Sequence, residues 1–242
     1  MSMAIIPALD LRAGRVVRLR QGDYARETGY DVDAVAQARS YAAAGARWLH
    51  VVDLDGARDG RLDNLRSIEA LAALAIDVQA GGGVRSADDV ERLFDAGAKR
   101  VVVGSVAVAD PARVSGWISR FGAQRIVIAL DARYAGGAWR LATAGWTTPA
   151  VTTLDELAPR YAAMGAQHLL CTDIARDGML CGPNLTLYAH LARLAPSLAL
   201  QASGGVRGLD DIHALQQCGV AGAILGRSLL EGCLDLARAC AC

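Results

Sequence analysis

The chain has 242 residues, 53% of them hydrophobic and 21% charged, a balance that excludes intrinsic disorder because enough apolar surface can be buried to offset chain entropy. Its 25 basic residues match its 25 acidic ones, so no net field exists to hold nucleic acid or an anionic membrane, and any anion site must be built locally. The longest apolar runs, such as Val101 to Val103 and Ile126 to Leu130, fall far short of the roughly 18 residues that a membrane helix needs.

The N-terminus, Met1 to Asp10, has no basic segment before its apolar stretch and meets an aspartate at once, unlike a secretory signal. A cytoplasmic protein is expected. Short β-branched runs then recur along the chain: Ala4 to Leu9, Trp48 to Val52, Ile76 to Ala80, Arg100 to Val103, Arg125 to Leu130, His168 to Thr172, Leu198 to Ala202 and Ala221 to Leu225. These are eight candidate strands. Pro7 lies inside the first, where it removes a ladder donor and marks a local irregularity.

Between the runs lie helix-patterned segments. Ser86-Ala87-Asp88-Asp89 and Thr153-Leu154-Asp155-Glu156 resemble capping boxes, and Asp110-Pro111 sets proline at a first helical position. Gly45, Gly97, Gly165 and Gly219 close helical stretches, where a left-handed residue suits the chain. Asn-Gly hairpin turns are missing between the runs, so the alternation implies parallel strands joined by crossovers. That leaves a doubly wound sheet or a closed barrel.

An internal repeat decides between them. Val78-Gln79-Ala80-Gly81-Gly82-Gly83-Val84-Arg85 matches Leu200-Gln201-Ala202-Ser203-Gly204-Gly205-Val206-Arg207 at an offset of 122, almost half the chain. The register continues through Asp88-Asp89 against Asp210-Asp211, Gly97 against Gly219 and Gly104 against Gly226. Two duplicated half-barrels close naturally into a (β/α)8 TIM barrel, whereas a doubly wound sheet gives no reason for such symmetry. No stretch looks like a linker, so residues 1–242 are expected to form one domain.

In a barrel of this kind the active site forms at the C-terminal strand ends. Glycines collect there in both halves: Gly82, Gly83, Gly104 and Ser105 in the first, Ser203, Gly204, Gly205, Gly226 and Arg227 in the second. Such glycines make tight turns, and they also let backbone N–H groups approach an anion closely. Their pairing by the repeat implies two facing phosphate sites, hence a small molecule with a phosphate at each end.

Asp10 and Asp131 end the first and fifth strands, which face each other in a ring of eight. There the two carboxylates would flank the middle of a ligand pinned at both ends, as acid–base work on one molecule requires. Capping of a neighbouring loop is the competing reading. Asp53 and Asp173 follow Val52 and Thr172, so alternation turns them out of the barrel as loop organisers and leaves Thr172 facing inward. Trp146 either stacks on a heterocycle or plugs the mouth, while Arg18 and Arg20 either reach a phosphate or stay solvated. The four histidines do not cluster, and the six cysteines, all between Cys171 and Cys242, form no zinc-like spacing and are expected as free thiols.

The stretches Ile6-Pro7-Ala8-Leu9-Asp10-Leu11, Val17 to Tyr24, Val52-Asp53-Leu54-Asp55-Gly56-Ala57, Gly81-Gly82-Gly83-Val84-Arg85 and Cys171 to Gly178 resemble, essentially end to end, the histidine-biosynthesis isomerases that act on phosphoribosylformimino-aminoimidazole carboxamide ribotide. The resemblance implies an Amadori rearrangement of an aminoaldose to an aminoketose on a bisphosphorylated substrate, without cofactor or metal. It implies Asp10 as proton acceptor, Asp131 as proton donor and Thr172 as an orienting residue, with Arg18, Arg85, Trp146 and Asp177 as substrate contacts. An isomerase of this size need not be more than a monomer, and the balanced charge and short apolar runs leave no nucleic-acid or membrane partner expected. The cyclase of the same pathway shares the half-barrel repeat but carries a lysine in its first loop, where this chain reads Arg20-Gln21-Gly22-Asp23-Tyr24. A bifunctional form that also isomerises phosphoribosylanthranilate has an arginine two positions before the loop tryptophan, and here that position is Ala144. A binder of bisphosphorylated metabolites that does no chemistry is the reading from another class.

Overall fold

The eight apolar runs become parallel strands in the computed structural model, which describes residues 3–143, 145–146 and 148–242. The first half runs β1 (Ala4–Arg12), β2 (Arg15–Arg20), β3 (Asp23–Gly29), α1 (Ala34–Ala43), β4 (Trp48–Asp53), α2 (Leu54–Asp59), α3 (Leu65–Ala72), β5 (Asp77–Gly81), α4 (Ala87–Asp95), β6 (Arg100–Val103), α5 (Ser105–Ala109) and α6 (Pro111–Phe121). The second runs β7 (Ile126–Ala129), β8 (Ala132–Ala135), β9 (Ala138–Thr143), β10 (Thr148–Thr153), α7 (Leu154–Ala163), β11 (His168–Thr172), α8 (Leu185–Leu194), β12 (Ala199–Ser203), α9 (Leu209–Gln217), β13 (Gly222–Leu225), α10 (Arg227–Leu230) and α11 (Leu236–Cys240).

Among the described residues, β1, β4, β5, β6, β7, β11, β12 and β13 pair in that order, and β13 returns to β1 from Ala4 opposite Gly222 to Pro7 opposite Leu225. The result is a closed (β/α)8 barrel. Pro7 does not break its strand. Pairing of β1 with β13 ends at Pro7 and pairing with β4 begins at Ala8, so the residue without an N–H sits where the strand changes partner.

Strand alternation divides the apolar residues into two cores. Leu9, Leu49, Val78, Val101, Ile128 and Leu169 turn outward against the helices. Ile6, Ala8, Val102, Val127, Ala129, Leu170 and Ile224 turn inward and fill the barrel. The helix signals take the forms that the sequence predicts. Ser86 Oγ accepts from Asp89 N–H while the Asp89 carboxylate accepts from Ser86 N–H, Thr153 and Glu156 repeat this at α7, and Pro111 opens α6. All six cysteines are free.

The structure corrects one expectation. The chain does make hairpins, within the loops after β1 and β7 rather than between barrel strands. It turns at Ala13 and Gly14, both at positive φ, so that β2 runs antiparallel to β1 with Val17 opposite Asp10. It turns again at Gly136-Gly137 to pair β8 with β9, and β9 then pairs with β10. Glycine after alanine or glycine does the work that Asn-Gly does elsewhere. The two excursions occupy equivalent places in the two halves.

Candidate active site

The C-terminal strand ends enclose a cavity of about 220 Å³ lined by Asp10, Arg18, Asp131, Thr172, Asp177 and Trp146, by Gly82, Gly83, Gly104 and Ser105, and by Arg85 and Ser203. A recess of about 30 Å³ adjoins it, lined by Ser203, Gly204, Gly205, Gly226 and Arg227, with Arg18 and Asp177 shared between the two. The barrel therefore gathers the catalytic, substrate-contact and cradle residues named above at one end, while Arg20 lines neither space. Thr172 faces the cavity and Asp173 does not, as alternation predicts.

Asp10 is placed by β1 and is almost fully buried. The hairpin sets Arg18 beside it. Arg18 Nη1 donates to Asp10 Oδ2 at 2.8 Å and Nη2 donates to the Ala8 carbonyl at 3.0 Å. A Cβ at Gly226 would stand 1.8 Å from Arg18 Nη2, so that glycine makes room for a guanidinium lying between Asp10 and the second cradle. Burial raises the Asp10 carboxyl above its ordinary range, against the charge and hydrogen bond of Arg18. Burial opposes the Arg18 cation too, yet Asp10 and Asp177 hold it above its usual value. The guanidinium stays charged.

Asp131 follows β7 and receives Trp146 Nε1 on Oδ2 at 2.8 Å. Its Oδ1 is buried with no hydrogen-bond partner among the described residues. Burial again raises this carboxyl, opposed by Thr172 and Trp146. Trp146 holds a left-handed φ of 69°, and a Cβ on Gly22 of the opposite hairpin would come within 2.4 Å of the indole. The ring is thus seated by both halves of the chain. Asp177 is the third carboxylate: burial pushes it up to about 7, opposed by Arg18 and reinforced by Asp10 and Asp131.

The cradles match in detail. Gly82 and Gly204 have φ of 97° and 101°, and Gly83 and Gly205 have 81° and 87°, all closed to ordinary side chains. A Cβ on Gly82 would lie 2.1 Å from the Asp53 carbonyl oxygen, and one on Gly205 would lie 2.3 Å from that of Gly182. Tight turning and close backbone approach are therefore both present. Gly104 and Gly226 precede α5 and α10 without a side-chain cap. Arg85 is exposed, its guanidinium packed on Gly60. The Arg227 guanidinium is engaged by Glu231 at 2.7 Å and the Gly178 carbonyl at 2.6 Å, and the residue lines the recess.

Asp53 and Asp173 organise loops. Asp53 accepts from the N–H groups of Gly56, Asp63 and Asn64 and from Asn64 Nδ2. Asp173 accepts from Ala175 N–H and Asn184 Nδ2. Sequence reasoning missed the asparagine partners, and it missed Tyr24, whose hydroxyl donates to the Leu54 carbonyl at 2.7 Å beside the cavity. It also passed over Gln79 and Gln201, although both stand inside the quoted repeat. Among the described residues no cluster of metal-ligating side chains occurs, and no helix is long and apolar enough to cross a membrane. The Ala144 position lies outside the described residues.

Against known families, the model of histidine biosynthesis proteins matches residues 4–235, nearly the whole chain. The chain belongs to the histidine biosynthesis protein family. Within that family it is 57% identical, over the full length of both chains, to a protein of Stenotrophomonas maltophilia strain K279a named 1-(5-phosphoribosyl)-5-((5-phosphoribosylamino)methylideneamino)imidazole-4-carboxamide isomerase. Proteins of the same name from Xanthomonas campestris pv. campestris strain B100 and Xanthomonas oryzae pv. oryzae strain PXO99A are 56% and 55% identical, again end to end. These family members carry the isomerase name, in agreement with the resemblance read from the motifs.

Proposed function

We propose that this family member isomerises the phosphoribosylformimino-aminoimidazole carboxamide ribotide aminoaldose to its aminoketose by proton transfers alone. The observation that carries the reading is the pair of carboxylates, buried Asp10 and half-buried Asp131, on facing barrel strands of one cavity flanked by matched glycine loops. One phosphate would rest on Gly82, Gly83, Gly104 and Ser105, the other on Ser203, Gly204, Gly205, Gly226 and the Arg227 backbone.

With both ends held, Asp131 gives a proton to the furanose oxygen as the ring opens and the nitrogen lone pair forms an iminium. The neighbouring C2–H becomes acidic, and Asp10 removes it to leave an enaminol. Loss of the enol proton and protonation at C1 complete the ketose, so protons balance and no redox partner is needed. Trp146 and Thr172 orient Asp131, Arg18 orients Asp10, and Arg85 stands at the first cradle. Asp177 supports a second reading of the donor. Its pKa of about 7 means it holds a proton at neutral pH more readily than an ordinary carboxyl, and it faces the same cavity. The protein would act as a one-domain monomer in the cytoplasm, on a small molecule and on neither nucleic acid nor membrane.

Exchange of Asp10 and Asp131 separately for asparagine tests the assignment. Turnover should fall by about 10²-fold or more, with substrate binding largely kept, because a positioned acid or base supplies about that much. Near-normal turnover in either variant removes that residue from its role. The same assay separates an isomerase from a binder without chemistry.

A further inference from the structure

Gln79 on β5 and Gln201 on β12 are equivalent positions of the repeat, and their side chains meet inside the barrel. Gln79 Nε2 donates to Gln201 Oε1 at 2.8 Å, and Gln201 Nε2 donates back to Gln79 Oε1 at 3.2 Å. Both are buried, Gln79 completely. The second N–H of Gln79 is directed at His50 Nδ1, 3.2 Å away. An amide N–H can only donate, so with Gln79 Nε2 on this side the contact calls for an accepting His50 Nδ1 and a ring proton on Nε2.

That proton has somewhere to go. Among the described residues His50 Nε2 makes no hydrogen bond, and the ring helps to line the cavity. His50 stands opposite Ala8 in the β1–β4 register, one inward position below Asp10 and Val52. Burial, helped by the nearby Arg18 charge, lowers the ring's pKa to about 3, so the ring carries one proton at neutral pH.

We propose that the reciprocal Gln79–Gln201 pair is a positioning device that fixes His50 as the Nε2–H tautomer and presents one uncharged donor from the cavity floor to a hydroxyl or carbonyl oxygen of the bound sugar. The inference deepens the isomerase reading and rests on it for the identity of the acceptor. Phosphate oxygens go to the cradles, and His50 lines the same cavity as both aspartates, where the sugar's own oxygens would pass. A neutral donor suits that place. A cation there would depress the pKa of Asp10 and weaken it as a base. The two glutamines belong to opposite halves and to rigid strands, and turning either amide alone breaks both bonds of the pair.

The test uses full-length protein labelled with ¹⁵N at histidine, read by two-bond proton–nitrogen correlation. Unmodified protein should show His50 with a pyridine-like Nδ1 and a pyrrole-like Nε2, unchanged from neutral pH to pH 5. Gln79→Glu sets a carboxylate against Nδ1; the proton should move to Nδ1, the ring should titrate closer to neutrality, and kcat/KM should fall about tenfold, the worth of one good hydrogen bond. Gln79→Met, checked by its melting temperature, should lose the fixed tautomer and a similar share of kcat/KM. If Gln79→Met does not fold, the spectra of the unmodified and Gln79→Glu proteins still decide. A proton on Nδ1 in the unmodified protein, or unchanged kcat/KM in Gln79→Glu after the tautomer has flipped, overturns the proposal. Normal turnover with Nδ1–H sinks this inference alone. Absence of turnover in the unmodified protein sinks the isomerase reading and leaves the tautomer to the spectrum.

Discussion

Two carboxylates, Asp10 and Asp177, share the Arg18 guanidinium at the mouth of this barrel, and burial raises the proton affinity of both and of Asp131 beside them. Asp177 is the extreme case, moved from an ordinary 3.8 to about 7. A carboxyl whose folded pKa lies above its unfolded value binds its proton more tightly in the native state, so its contribution to stability falls as pH rises through that window. Asp177→Asn removes the ionisation and keeps the shape. The variant should be more stable to unfolding than its parent at pH 8, by an amount on the order of 2 kcal/mol, and differ little near pH 4. If Asp177 is the proton donor, turnover of the unmodified enzyme should decline above pH 7 and be lost in this variant. A rate that stays flat through pH 9 would return the donor role to Asp131. Asp10 and Asp131 are legible in sequence because each ends an apolar strand run. The behaviour of Asp177 is not, since its proton affinity depends on Arg18, Asp10 and Asp131, which three other segments bring to it.

At the scale of elements, the barrel strands and helix starts could be read because a buried strand is a run of β-branched residues and a cap is a local hydrogen bond. The hairpins were hidden. β3 is largely exposed and β8 exposes three of its four residues, so neither shows the alternation of a half-buried strand. Loop organisation was half visible: Asp53 and Asp173 could be assigned by alternation, but their asparagine partners lie 11 positions away with no pattern to announce them. Asp53→Ala should strand several buried donors and cost about 3 kcal/mol in urea unfolding. Gly82→Ala should also destabilise, by about 2 kcal/mol or more, because a Cβ meets the Asp53 carbonyl and φ is 97°. A stability unchanged by Gly82→Ala would mean the loop is looser than its contacts imply.

For the whole molecule, the repeat in the sequence is also a repeat in hydrogen bonding. Arg85 N–H donates to Asp89 as Arg207 N–H donates to Asp211, and the glutamines answer each other inside the barrel. Such symmetry predicts two anion sites of similar build. Crystals grown in sulfate should show density both at Gly82 to Ser105 and at Gly204 to Arg227, and Gly226→Ala should empty the second alone by displacing Arg18. Density at one cradle only would break the two-site reading. The indole of Trp146 rests on Gly22, so the roof over the cavity is made jointly by the first and second halves of the chain. A chimaera recombined at its midpoint with a distant cousin would inherit one flap from each parent. Unless glycine and tryptophan arrived together, its entrance would stand ajar, so descent through such exchanges favours parents whose flaps already fit.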